Sequence, residues 1–100
     1  SKITLPKISS GTNPNWHIFA IRVPSMQRND VITALRGYGI EASFHYLPLH
    51  TSSMGKKLGY KKNSLPVTVE VTQSLIRLPM HPRLKKSEID YIAAALAKVI

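Results

Sequence analysis

Residues 16–46 read WHIFAIRVPSMQRNDVITALRGYGIEASFHY. The hydrophobic period changes twice along this stretch. Trp16 to Val23 alternates and is rich in β-formers, which predicts a strand that Pro24 ends. Asn29 or Asp30 can cap a helix running through Leu35 and Arg36, because either short side chain accepts from the free N–H groups of a first helical turn. Val31, Ala34 and Leu35 give that helix an apolar face. Gly37 and Gly39 supply the stop, since a helix end often needs positive φ. Ile40 to Tyr46 then predicts a second strand, with Ile40, Ala42 and Phe44 on one face and Pro48 breaking it.

Outward from this unit, residues 1–15 read as a linker or extended lead-in, punctuated by Gly11, Pro14 and Asn15; the domain proper is 16–100. A short helix is expected within 51–59, with Met54 and Leu58 inward, followed by a basic loop at 60–64. Residues 67–75 fit two periods. Val67, Val69 and Val71 alternate like a strand, while Val67, Val71 and Leu75 share a helix face; we take helix, with a short strand at Ile76 to Leu78. The last helix starts at Ser87 or a neighbour and repeats Ile89, Ile92, Ala93, Leu96 and Ile100 at helical spacing. Three strands and three or four helices in mixed order predict an α+β two-layer sandwich. The expected sheet is small, three-stranded and mostly antiparallel, with helices on one face.

One hundred residues make one domain, and 43% apolar residues suffice for a core. The absence of cysteine excludes disulfides, thiolate metal sites and thiol catalysis, and fits a cytoplasmic protein. No apolar run approaches the roughly 18–20 residues of a membrane span, and residues 1–15 show no apolar signal-peptide core. Fourteen Lys and Arg against five acids give +9. That charge suits a nucleic acid, a small anion such as a nucleotide diphosphate, or a piece of chain separated from an acidic remainder.

The densest cluster of polar chemistry is Phe44-His45-Tyr46-Leu47-Pro48-Leu49-His50, at a strand end that Pro48 turns sharply. Strand alternation should send His45 and Tyr46 to opposite faces. A metal pair of His45 and His50 is a weak reading, because the spacing suits no helical pair and no third ligand is evident. No nucleophile elbow supports a hydrolase triad, and the glycines form no phosphate loop. Lys56, Lys57, Lys61 and Lys62 bracket Tyr60 and could contact phosphate, although such a run is more often a solvated face. His17 and His81 stand alone and read as packed or surface residues.

The order of short motifs is more specific than any one of them. It runs His17-Ile18-Phe19, Arg28 at a helix start, Gly39-Ile40, His45-Tyr46-Leu47-Pro48-Leu49-His50, Gly59, Leu65-Pro66, and Leu78-Pro79-Met80-His81-Pro82-Arg83-Leu84 before a final helix. Over about residues 15–100 this resembles the C-terminal end of the DegT/DnrJ/EryC1/StrS aminotransferases. Within them it is most similar to the enzymes that aminate C4 of a dTDP-4-keto-6-deoxyhexose. The resemblance implies the small domain of a fold-type-I enzyme that uses pyridoxal phosphate (PLP), with glutamate or glutamine as amino donor. It also implies a homodimer, a nucleotide-sugar substrate and a place in cell-surface polysaccharide or related sugar biosynthesis. In the family the His-Tyr-x-Pro-x-His segment lies on the sugar-nucleotide side of the cleft, so His45, Tyr46 and His50 are expected to bind substrate. His17 and Arg28 match the pattern and are read as structural. The family's cofactor lysine, pyridine-pairing aspartate and phosphate cup belong to its large domain and have no counterpart in this sequence. No catalytic, cofactor-binding or metal-binding residue is therefore expected here, and the chain alone should be inactive. The rival readings are a small basic nucleic-acid-binding module and a non-catalytic regulatory α+β domain. Against the first, no RNA-recognition aromatic motif is present.

Overall fold

The computed structural model describes residues 3–100. Strand β1 (Phe19–Arg22) leads through a 3-10 turn at Ser25–Gln27 into helix α1 (Arg28–Gly37). A second 3-10 turn, Leu49–Thr51, precedes the short helix α2 (Ser53–Lys57). Helix α3 (Pro66–Ser74) runs directly into strand β2 (Leu75–Leu78), and helix α4 (Lys86–Val99) closes the chain.

β1 and β2 pair antiparallel, with Phe19 opposite Leu78 and Ile21 opposite Ile76. Opposed residues in an antiparallel pair share a face, and this face is the floor of the core. Ile21, Leu35 and Ile76 are almost wholly enclosed, and Val23, Val31, Ile32, Ile40, Ala42, Leu78, Ala95 and Leu96 complete the cluster. Helices α1 and α4 roof it, and the Tyr91 hydroxyl fastens them by donating to the Tyr38 carbonyl at 2.7 Å. Ala20, Arg22, Leu75 and Arg77 point the other way. There Arg22 ties β1 to α3, donating to Ser74 Oγ (2.8 Å) and to Glu70 Oε1 (3.0 Å).

The α+β layering agrees with the sequence reading, as does helix over strand for 66–74; α1 and α4 cover the core side, whereas α3 is tied through Arg22 on the other. The third strand does not form. Only Ser43 of residues 40–46 pairs with the sheet, exchanging both backbone bonds with Arg77 (3.2 and 2.7 Å). The ladder fails on either side for local reasons. The next bonded positions of an antiparallel ladder would be Glu41 with Pro79 and His45 with Leu75; Pro79 has no N–H to donate, and the Leu75 carbonyl accepts from Arg28 Nη1 at 3.4 Å. Phe44 swings out, 43% exposed, while Ile40 and Ala42 stay inside. β1 is likewise shorter than the expected 16–23.

Helix starts also differ by a few residues. α1 begins at Arg28 out of the 3-10 turn, without a side-chain cap. Asn29 is spent accepting from Arg28 Nε (2.8 Å) rather than capping. α4 begins at Lys86, where the Glu88 carboxylate reaches back to the Lys85 N–H (3.3 Å). Met54 and Leu58 are 62% and 69% exposed rather than inward, because the turn they belong to has no apolar layer beneath it. Thr4, in the lead-in, exchanges both backbone bonds with Arg22 (2.8 and 3.0 Å), so this segment lies along the edge of β1.

Candidate functional site

The segment that leaves the sheet edge after Ser43 carries the polar cluster singled out in the sequence. Its departure is steered by Arg28. The guanidinium carbon lies 5.4 Å from the Phe44 ring centroid, within cation–π range. Arg28 Nη1 donates to the carbonyls of Thr72 (2.9 Å) and Leu75 (3.4 Å) at the end of α3, where the helix leaves its carbonyls unpaired. Desolvation by burial pulls the Arg28 pKa down from its ordinary value. One side chain thus joins the start of α1, the end of α3 and the exit of the loop, in agreement with its structural reading. His17 is exposed, and its tie to the chain is its backbone N–H, which donates to Asn15 Oδ1 at 3.1 Å.

His45 and Tyr46 do not part to opposite faces, because the chain has already left the ladder. Their rings stack with centroids 3.7 Å apart. Arg77 Nη1 lies 3.4 Å from His45 Nδ1. A guanidinium only donates, so Nδ1 is the acceptor in this contact and Nε2 carries the ring's proton. Tyr46 is 62% exposed. The pair therefore sets a half-buried imidazole against an exposed phenol, on a stack braced from the sheet.

His50 is different. It is 5% exposed, and its Nε2 lies 3.2 Å from the carbonyl of Lys62. A carbonyl only accepts, so Nε2 carries a hydrogen and is committed to the loop. The turn around it is tightly built. Thr51 Oγ1 donates to Pro48 O (3.0 Å), and Ser52 Oγ caps α2 by accepting from Gly55 N–H (3.0 Å). Gly55 is pressed onto this turn: a Cβ there would meet the Leu49 carbonyl and lie 2.6 Å from the His50 carbonyl. The three expected site residues thus divide into a stacked pair, the half-buried His45 and the exposed Tyr46, and an enclosed anchor, His50.

Sequence reasoning missed Arg77, which it placed only as a strand residue. The available signal was a lone cation between Ile76 and Leu78, which alternation turns away from the core. Arg77 also borders a cavity of about 770 Å³, together with Arg36, Glu41, Ser43 and His81.

A lysine that holds PLP as a Schiff base is commonly desolvated in an apolar pocket. Every lysine among the described residues is exposed, and none lies in such a pocket. Among those residues, too, no group of three or more His, Cys, Asp or Glu converges as a metal site, and no helix is long and apolar enough to cross a membrane.

The chain is thus an α+β domain bearing a braced polar turn at its sheet edge. It belongs to the DegT/DnrJ/EryC1/StrS aminotransferase family, whose pattern it matches over residues 1–97. It is 31% identical over 97 residues, covering 96% of the chain, to the "Pleiotropic regulatory protein" of Geobacillus stearothermophilus, of which it spans 26%. It is 29% identical over 87 residues (86% of the chain, 22% of the relative) to dTDP-3-amino-3,4,6-trideoxy-alpha-D-glucose transaminase of Streptomyces venezuelae. Among solved structures, Spr1654 of Streptococcus pneumoniae, described as a sugar aminotransferase, superposes with TM-score 0.90 at 29% identity. That match covers 99% of this chain and 26% of the other. The same protein has been solved in PMP and PLP forms. The chain spans about a quarter of the length of the curated relatives it matches.

Proposed function

We propose that this chain is the C-terminal domain of a PLP-dependent sugar-nucleotide aminotransferase. The full-length enzyme moves an amino group from glutamate or glutamine to C4 of a nucleotide-linked 4-keto-6-deoxy sugar, in cell-surface polysaccharide or related sugar biosynthesis in the cytoplasm. Residues 1–15 lead in from a large domain of the same polypeptide, and the working unit is a homodimer. When bound, PLP supplies the electron sink for the transfer. The large domain holds it.

In this reading the residues of this chain recognise substrate. His45 and Tyr46 hydrogen-bond sugar hydroxyls or phosphate oxygens, and His50 completes the site from within the turn. The observation that carries it is the stacked His45–Tyr46 pair, its phenol exposed and its imidazole braced by Arg77, in a chain of this family.

The test uses the full-length protein with PLP, glutamate or glutamine, and dTDP-4-keto-6-deoxyglucose. Formation of the 4-amino sugar nucleotide, identified by mass and NMR, is expected; no transfer to any 4-keto-6-deoxy sugar nucleotide would refute the reading. The isolated chain mixed with PLP should show no stable cofactor absorbance band. A stoichiometric band lost on changing one lysine would mean that the cofactor site lies here after all.

A further inference from the structure

Between Glu41 and Glu70 the sequence contains no acid at all. This interval holds Lys56, Lys57, Lys61 and Lys62, all exposed. The side-chain ion pairs among the described residues join Arg22 to Glu70 and Lys86 to Asp90, so none of the four lysines is neutralised there. Four positive charges within seven residues repel one another, yet the turn that carries them is firmly held. Tyr60 N–H donates to Gly55 O and Gly59 N–H to Lys56 O, both at 3.0 Å, and Ser64 Oγ donates to Lys61 O at 2.7 Å. The buried His50 ring fixes the Lys62 carbonyl. Beside the lysines lies an apolar hollow of about 400 Å³, with Leu49, Met54, Leu58, Tyr60 and Leu65 in its wall. A merely solvated basic face needs neither an anchored turn nor an adjoining apolar hollow. Cations next to an apolar concavity with an aromatic ring match an amphiphilic anion, phosphate at one end and a flat base at the other.

We infer that this turn is the subsite for the nucleoside diphosphate of the substrate. Lys61 and Lys62, with Lys56 and Lys57, take the phosphate oxygens, and the hollow edged by Tyr60 takes the base. The inference rests on the proposed function, and it extends the recognition surface from the His45–Tyr46 pair into a neighbouring turn that His50 couples to it.

The test is calorimetric binding of dTDP, with UDP and GDP in parallel, to the full-length protein at low and high salt. Lys61→Gln/Lys62→Gln, at two exposed positions, should weaken the Kd by about 10-fold or more at low salt. The loss should shrink as salt rises, because counterions screen exposed charges. Lys7→Gln/Lys98→Gln removes the same net charge from exposed positions elsewhere and should stay within about two-fold of wild type, separating local contact from overall field. If Lys61→Gln/Lys62→Gln binds the nucleotide as the wild type does, the subsite is wrong while the aminotransferase reading stands. If the wild type itself binds none of the three nucleotides, the underlying reading falls and the subsite with it.

Discussion

Two regions of this domain are held together by different physics. The sheet with α1 and α4 is fixed by buried hydrocarbon: every residue of the apolar core lies within 21–42 or 76–96. The lobe from Phe44 to Leu65 contributes nothing to that core. Its enclosed residues are His50 and Gly55, and its order comes from hydrogen-bonded turns and one close backbone approach. All three expected substrate residues sit in this second region. A rigid apolar scaffold thus carries a lobe whose exposed polar and apolar groups remain free for partners, which is where function commonly resides.

The contrast is testable by single substitutions. The largest effect is expected in the scaffold. Leu35 is wholly buried, so Leu35→Ala should cost about 2–5 kcal/mol from lost burial and the cavity left behind. Urea unfolding of the full-length protein should show this cost. A loss below about 1 kcal/mol would mean that the core repacks freely around the site.

Gly55→Ala comes next and should strike only the lobe. The added methyl collides with the Leu49 and His50 carbonyls, and overpacking of this kind costs about 1–3 kcal/mol. Amide exchange should accelerate over residues 49–60 and remain slow in β1 and α1, as expected when one local unit opens by itself. Uniform acceleration across both regions would erase the distinction.

The smallest effect belongs to the surface. The Glu70 side chain is 71% exposed in its pair with Arg22, so Glu70→Gln should change stability by no more than about 1 kcal/mol. Arg22 keeps its bond to Ser74 Oγ in that variant. A larger loss would assign α3 docking to charge rather than to that hydrogen bond.

What was legible in the sequence follows the same division. The scaffold announces itself, because Ile21, Leu35, Ile76 and Leu96 repeat at the periods that burial on a strand or helix demands. The 66–74 helix was legible only by choosing between two periods that Val67 and Val71 both satisfy. The missing third strand was not legible. Ile40 and Ala42 alternate inward whether or not the backbone pairs, and the pairing is decided across the sheet, at Pro79 and at the Leu75 carbonyl that Arg28 occupies. The polar turn was legible as residue types but not as roles. Nothing local distinguishes the enclosed His50 from the half-buried His45. Arg77 entered the site only through its alignment with Ser43.

The central claim is that the His45–Tyr46 turn faces the sugar nucleotide in the intact enzyme. Tyr46→Phe tests it most directly, because the residue is 62% exposed and losing its hydroxyl disturbs no packing. His50→Ala would disturb the loop as well. The measurement is single-turnover absorbance of each half-reaction, followed separately in the full-length protein. Loss of one hydrogen bond to substrate is worth on the order of 1–3 kcal/mol, so the keto-sugar half-reaction should slow by roughly 5- to 150-fold. The amino-donor half-reaction should change less. A Tyr46→Phe enzyme that turns over the sugar at the wild-type rate would contradict the account and make this turn a structural element alone.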